Sequence, residues 1–190
     1  GGTVEFVGRT IRRAAPVKTK ALGIGFTPED RKVDGLVQIL PVKDNLILAS
    51  LKRQSVGPFI SREKEKAAVD AQVRNLDIKV SAVGGAVSEL SGGNQQKVVV
   101  GNWLNNQPAL MLFDEPSRGI DVQSKQHIFK IIWDMARQGI SSIVVSSELE
   151  ELLEVCHRVL IMRYGLIEGE IIPETTSIEE LYSLCIGGDD

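Results

Sequence analysis

From Ser91 to Val145 the chain alternates helix-length stretches with short apolar runs, the sequence habit of a parallel sheet joined by crossover helices. Val98 to Asn105 is expected as helix, Ala109 to Phe113 as a buried strand, Asp121 to Arg137 as helix and Ser142 to Val145 as the next strand. The Asp121 helix is expected to carry Ile128, Ile131, Ile132, Met135 and Ala136 inward and to stop at Gly139. With 190 residues, 43% of them hydrophobic and 25% charged, there is enough chain to bury a core, and disordered, collagen-like and disulfide-scaffold classes are excluded. Lys and Arg number 22 against 25 Asp and Glu, and beyond the short run Ile11-Arg12-Arg13 no basic stripe exists to neutralise phosphates, so nucleic acid is not an expected partner. Apolar runs such as Ala109 to Phe113 fall far short of the roughly 20 residues that span a bilayer. Cys156 and Cys185 sit in apolar surroundings without a CxxC, which points to a reduced compartment rather than a disulfide or zinc site. Because the first residue is Gly1 rather than Met, the chain reads as a fragment.

Upstream of Ser91 the pattern differs. Thr3 to Val7 and Leu22 to Thr27 read as strands, separated by a basic, Pro-containing stretch from Arg9 to Lys20. Pro28 to Gly35 (PEDRKVDG) is a charged loop by composition. Helices are expected from near Lys43 and near Ser61, the second with Val69, Val73 and Leu76 on one face. Residues 36–90 are therefore expected as a small helical subdomain, and 1–35 with 91–190 as an α/β core. After Val145 come a helix from Glu148 to Val155, a hairpin of Arg158 to Met162 with Leu166 to Glu170, and a last helix opened by a Ser177/Glu180 capping box.

The chemistry concentrates in Leu90 to Lys97 (LSGGNQQK) and Met111 to Asp121 (MLFDEPSRGID). Ser91-Gly92-Gly93 at a helix start offers bare backbone N–H groups, a hydroxyl and the positive end of the helix dipole, which together favour a phosphate. Taken alone, such a turn reads first as a plain helix N-terminus. Asp114-Glu115 at the carboxyl end of an apolar strand places two carboxylates where ligands bind in open parallel sheets. The first can hold Mg²⁺ and the second can orient or deprotonate a water beside a phosphoryl group, although a strand ending in Asp-Glu occurs in structural settings too. Pro116 turns the chain out of the strand, and Asp121 is suited to cap the next helix. His127 and His157 lie beside no candidate nucleophile, and Trp103 and Trp133 read as packing residues.

The combination resembles the signature sequence and Walker B motif of ATP-binding-cassette ATPases, with Asp121 closing their D-loop. LSGGNQQK with DEPSRGID, PEDRK (Pro28 to Lys32) and VVSSELEE (Val144 to Glu151) is similar to the second, carboxy-terminal cassette of the tandem ATPases that power bacterial monosaccharide importers, over nearly the whole chain. The resemblance implies a P-loop NTPase α/β core whose ligands are ATP and Mg²⁺. Glu115 is the implied catalytic residue and Asp114 the metal ligand. Ser91, Gly92, Gly93, Asn94, Glu29, Asp121 and Ser147 are the implied nucleotide-site residues. Implied partners are an amino-terminal cassette of the same or another chain, membrane permease subunits and, indirectly, a sugar-binding protein. The implied location is cytoplasmic, at the inner face of the membrane.

Departures from the family pattern qualify that picture. No GxxxxGK(S/T) string occurs in the 190 residues, so the chain is expected to begin downstream of the P-loop and neither to hydrolyse ATP nor to bind it tightly by itself. The strand bearing that loop is expected beside the Asp114 strand, whose edge would then stay unpaired and invite swapping or dimerisation. Glu29 stands where most cassettes have the Q-loop glutamine and brings negative charge near phosphate. Ser147 stands at the switch-histidine position, where a hydroxyl cannot carry positive charge. Hydrolysis in this half is thus expected to be impaired, with the Ser91 tip serving the partner's site. The alternatives are a non-hydrolysing interaction or regulatory cassette, an importer of nucleosides, and a cassette ATPase acting on ribosomes or DNA.

Overall fold

The computed structural model describes residues 3–12 and 15–186; Gly1 and Arg13, used in the sequence reading, lie outside them. Two short strands, β1 (Val4–Phe6) and β2 (Arg9–Ile11), form an antiparallel hairpin through Val7 and Gly8, both at positive φ. Helix α1 (Pro16–Ala21) follows, with Pro at its first turn where the missing N–H costs nothing. The stretch expected to be merely basic and Pro-containing is therefore half a hairpin and a helix, because Pro16 starts a helix as readily as it ends one.

Strand β3 (Ile24–Thr27) enters the main sheet. The charged loop after it contains one wide, π-type helical turn over Arg31–Gly35. Asp30 sets that turn, its carboxylate accepting the N–H groups of Lys32 and Val33 at 2.9 and 3.1 Å. Helices α2 (Val42–Ile47) and α3 (Leu51–Gln54) come next, followed by a small hairpin of β4 (Ser55–Val56) and β5 (Phe59–Ile60) turning at Gly57. Helix α4 (Arg62–Asn75) is capped by Ser61, as the sequence suggests. Helix α5 (Gly92–Leu104) begins at the glycine pair itself, six residues before the expected Val98, because Ser91 is its N-cap.

The remaining elements follow the alternation. They are β6 (Leu110–Asp114), α6 (Val122–Arg137), β7 (Ser141–Val145), α7 (Leu149–Val155), the antiparallel pair β8 (Val159–Arg163) and β9 (Leu166–Ile171), and α8 (Ile178–Ile186). The Glu180 amide donates to Ser177 Oγ at 3.1 Å at the start of α8.

The main sheet is parallel with the order β3-β6-β7. One expectation fails here. The Asp114 strand has no open edge, because β3 pairs with it from Ile24↔Leu110 to Thr27↔Phe113 and β7 from Leu110↔Ser141 to Asp114↔Val145. The open edges belong to β3 and β7. The reason lies in the pattern of β6, which alternates buried Met111 and Phe113 with half-buried Leu110, Leu112 and Asp114, as a central strand does when one face is fully packed.

Met111 and Phe113 share one apolar cluster with Val98 and Val99 of α5 and with Ile128, Phe129, Ile131, Ile132 and Met135 of α6, whereas Ala136, expected inward, is exposed because it falls one residue past Met135, off the buried stripe. On the other face, register partners Phe26, Leu112 and Ile143 form a row whose outer members, 42% and 54% exposed, remain uncovered. Helix α5 ties this core to α2 and α4, and a methyl on Gly101 would come within 2.8 Å of Leu46 and 3.1 Å of Leu76. Among the described residues no helix is long and apolar enough to cross a membrane.

Candidate functional site

The tip of α5 is built by close approach. Ser91 Oγ accepts the Asn94 amide at 3.4 Å and the Asn94 side-chain N–H at 3.0 Å, while Asn94 Oδ1 takes the Lys79 amide at 2.9 Å. Asn94 thus braces the tip and the loop before it. Gly93 is buried, and a Cβ there would sit 2.1 Å from Ser124 Oγ. A Cβ on Gly92 would lie 2.7 Å from Arg31 Nη2 and 3.2 Å from the Gly119 carbonyl. Only glycine lets the start of α5 lie against the turn that leads into α6. Ser91 stays exposed, and the first turn of α5 has no acidic residue to oppose an anion.

The end of β6 is built by hydrogen bonds instead. Glu115 adopts φ 45°, a left-handed conformation unusual for a side-chain-bearing residue, while its amide still donates to the Val145 carbonyl at 2.9 Å. The bend turns its carboxylate toward the loop after β7, where Oε1 accepts the Ser147 amide at 2.7 Å and Oε2 the Ser147 hydroxyl at 3.2 Å. The carboxylate of Asp114, half-buried on the open face of the sheet, has no hydrogen-bond or ion-pair partner among the described residues. No group of three or more potential metal-ligating side chains gathers among those residues. A lone carboxylate with hard oxygen donors fits Mg²⁺, which takes one or two protein carboxylates and completes its shell with water and phosphate.

Glu29 is exposed and ion-paired with Arg118, so its charge is compensated locally rather than left to repel a phosphate. Beside it, Arg31 donates to the Arg118 and Gly119 carbonyls at 2.7 and 3.0 Å. Partial burial pulls the Arg31 pKa below its ordinary value, with Asp30 opposing. Asp121 caps α6, accepting the Ser124 amide at 3.0 Å and the Ser124 hydroxyl at 2.7 Å. The hydroxyl first and the amide second hold its carboxyl below the usual carboxylate range.

The expected residues therefore fall into two groups at opposite ends of one turn, 115–121. Gly92, Gly93, Glu29 and Asp121 meet residues 118–124, with Ser91 and Asn94 on the same α5 tip, and Glu115 meets Ser147 at the start of the turn, directly after Asp114. Among the described residues no side-chain hydrogen bond or ion pair joins the groups. His127 and His157 are exposed, and Trp103 and Trp133 pack against the core.

Sequence reading missed Arg31, Ser117, Lys125, Ser146 and Glu151. Glu151 is 3% exposed, and its carboxylate accepts the Ser117 hydroxyl at 2.7 and 2.6 Å, the Ser146 hydroxyl at 3.0 Å and Lys125 Nζ at 2.6 Å. Lys125 also reaches Glu148 at 2.6 Å, and these two bonds, Glu148 first, raise its pKa. One signal was available: on α7, Glu151 shares an i, i+1, i+4 stripe with Leu152 and Val155, so a charge sits on the face that must go inside.

The family model described as ABC transporter matches residues 1–118. The chain is 40% identical over 186 residues to the ribose import ATP-binding protein RbsA 3 of Rubrobacter xylanophilus, covering 98% of itself and 37% of that protein. It is 37% identical over 186 residues to the xylose import ATP-binding protein XylG of Brucella abortus, again covering 98% of itself and 36% of that relative. The chain thus spans little more than a third of these relatives. Among solved structures, a nucleotide-free ATP-binding cassette from an ABC transporter matches with TM-score 0.78 and 20% identity, over 97% of this chain and 73% of that one. The dimeric post-hydrolysis state of a cassette bound to ADP and phosphate matches with TM-score 0.76 and 21% identity, over 91% and 74%. The fold is that of ABC ATPase cassettes, with a P-loop NTPase-type parallel sheet.

Proposed function

The chain belongs to the ABC transporter family, and on that premise we propose that it is the signature-bearing part of the ATP-binding subunit of a sugar importer. The relatives with which it shares 37–40% identity are ribose and xylose import proteins, which supports a pentose or a related monosaccharide as cargo. One observation carries the reading: the Ser91 tip is exposed, Gly93 leaves no room for a side chain against Ser124, and no acid guards its first turn. That is what an anion site completed by a second polypeptide requires.

In this reading Ser91, Gly92 and Gly93 close over the phosphates of ATP held by a partner cassette, with Asp121 and Glu29 stiffening the turn beneath them. The ADP-and-phosphate-bound dimer among the similar structures supports a paired arrangement. Asp114 is the residue that would hold Mg²⁺, whose chemistry is to neutralise charge on the phosphates. Glu115 would orient water in this half's own site. Both Ser147 donors are spent on that carboxylate, so it is held rather than free to accept a proton, and turnover at this half is slow. Residues 36–90 form the helical subdomain that meets the permease, and the whole sits at the inner face of the membrane.

The test is a split between two variants of the assembled transporter, both cassettes and the permease present. Ser91→Arg should lower ATP turnover and sugar uptake by about 100-fold, the scale of a misplaced catalytic group. Glu115→Gln should leave most of both. Loss in both variants would make this half a catalyst in its own right, and loss in neither would remove it from the nucleotide sites.

A further inference from the structure

The network around Glu151 has a use that the fold alone does not require. Ser117 lies two residues after Glu115, in the turn that leaves β6, and Ser146 lies immediately before Ser147, in the loop that leaves β7. One buried carboxylate binds both: Ser117 Oγ at 2.7 and 2.6 Å and Ser146 Oγ at 3.0 Å. Both Glu151 oxygens are engaged: Oε1 by Ser117 and by Lys125 Nζ at 2.6 Å, Oε2 by Ser117 and Ser146. The two loops so joined are the ones whose separation decides whether Ser147 can reach Glu115.

We propose that Glu151 is a positioning residue, and that its carboxylate, charge-balanced by Lys125, clamps the 146–148 loop to the 115–118 turn so that the amide and hydroxyl of Ser147 stay on Glu115. Beyond the clamp, the loop is tied among the described residues by the Lys125–Glu148 ion pair, whose carboxylate is exposed, and by the local bonds of Ser146 with Glu148 two residues on, neither of which reaches the 115–118 turn. A buried carboxylate with three donors resists displacement, since leaving any one unpaired carries the full desolvation cost. The inference rests on Glu115 belonging to this half's own nucleotide site, but the clamp can be tested without assuming turnover.

The measurement is made on the whole 190-residue chain, labelled with ¹⁵N, by amide hydrogen exchange and proton chemical shift. In the wild type the Ser147 amide, 2.7 Å from a carboxylate oxygen, should resonate downfield and exchange slowly. Glu151→Gln keeps the shape but cannot accept from both hydroxyls and balance Lys125 at once. It should speed exchange at Ser147 by about tenfold, the scale of one hydrogen bond, and move its resonance upfield. The amides of Ile131 and Ile132 in α6 should not change. Ser146→Ala, which removes one exposed-side bond and leaves the ion pair, should give a smaller shift in the same direction, and it serves if Glu151→Gln does not fold.

An unmoved Ser147 resonance in both variants, or an equal loss of protection at Ile131 and Ile132, would overturn the proposal. A moved resonance in Glu151→Gln together with unimpaired turnover of an assembled Glu115→Gln transporter would uphold the clamp while leaving this half a donor only.

Discussion

The tip of α5 and the end of β6 lie at the two ends of one turn, yet they are made by opposite means. The tip is shaped by what is missing: two side chains are absent so that helix and turn can touch, and no acid stands in the first turn. The strand end is shaped by what is present, a bent Glu115 whose carboxylate is held by Ser147 and backed by the buried Glu151 cluster. A surface made of bare backbone is fitted to receive something from outside. A carboxylate already hydrogen-bonded within its own chain is fitted to wait. The difference teaches that one half-site can offer its glycines to a partner while its acid stays restrained.

Substitutions can sharpen or break that contrast. The largest effect on stability is expected at Gly93→Ala, whose methyl must displace Ser124; overpacking of this kind costs about 1–3 kcal/mol, read as a lowered denaturant midpoint. If Gly93→Ala were neutral, the tip would not be built on close approach. Next comes Arg31→Met, which removes two donors from the Arg118 and Gly119 carbonyls, and the expected cost is about 1 kcal/mol because the pair is partly in water. Ser147→Ala deletes only the longer of the two bonds to Glu115 and should cost about 0.5 kcal/mol. A larger loss there than at Gly93 would invert the comparison.

The smallest effect lies at Asp121 and depends on pH. Its folded pKa is held below the unfolded value, so its contribution is present above about pH 3.9 and is lost as pH falls through the lower folded value. The stability gap between wild type and Asp121→Ala should therefore be constant from neutral to mildly acid solution and close only in strong acid. A gap that opened with acidification would contradict the cap.

Much of this was legible in the sequence. The alternation after Ser91 foretold the crossover helices and strands, because a parallel sheet leaves an apolar run between amphipathic ones, and Asp121 was recognisable as a cap from its residue type alone. What stayed hidden was whatever depends on two distant segments meeting. Arg31 sits in a loop that composition marks only as charged, and its partners are backbone carbonyls 87 and 88 residues away, which no side-chain pattern records. The neighbours of the Asp114 strand were misassigned for a related reason: a central strand's pattern shows that both sides are filled, not by which strands. The Glu29 carboxylate looked like an uncompensated charge because its partner, Arg118, belongs to the turn after β6.

The central claim is that the α5 tip meets a nucleotide gripped by another cassette. It is tested most directly by mapping where an ATP analogue with a photoreactive γ-phosphate attaches in the assembled transporter. Label on the peptide containing Ser91 to Asn94, appearing only when a partner cassette with an intact P-loop is present, is the expected result. Label that ignores the partner, or that falls on Glu115 and Ser147 while sparing the tip, would contradict it.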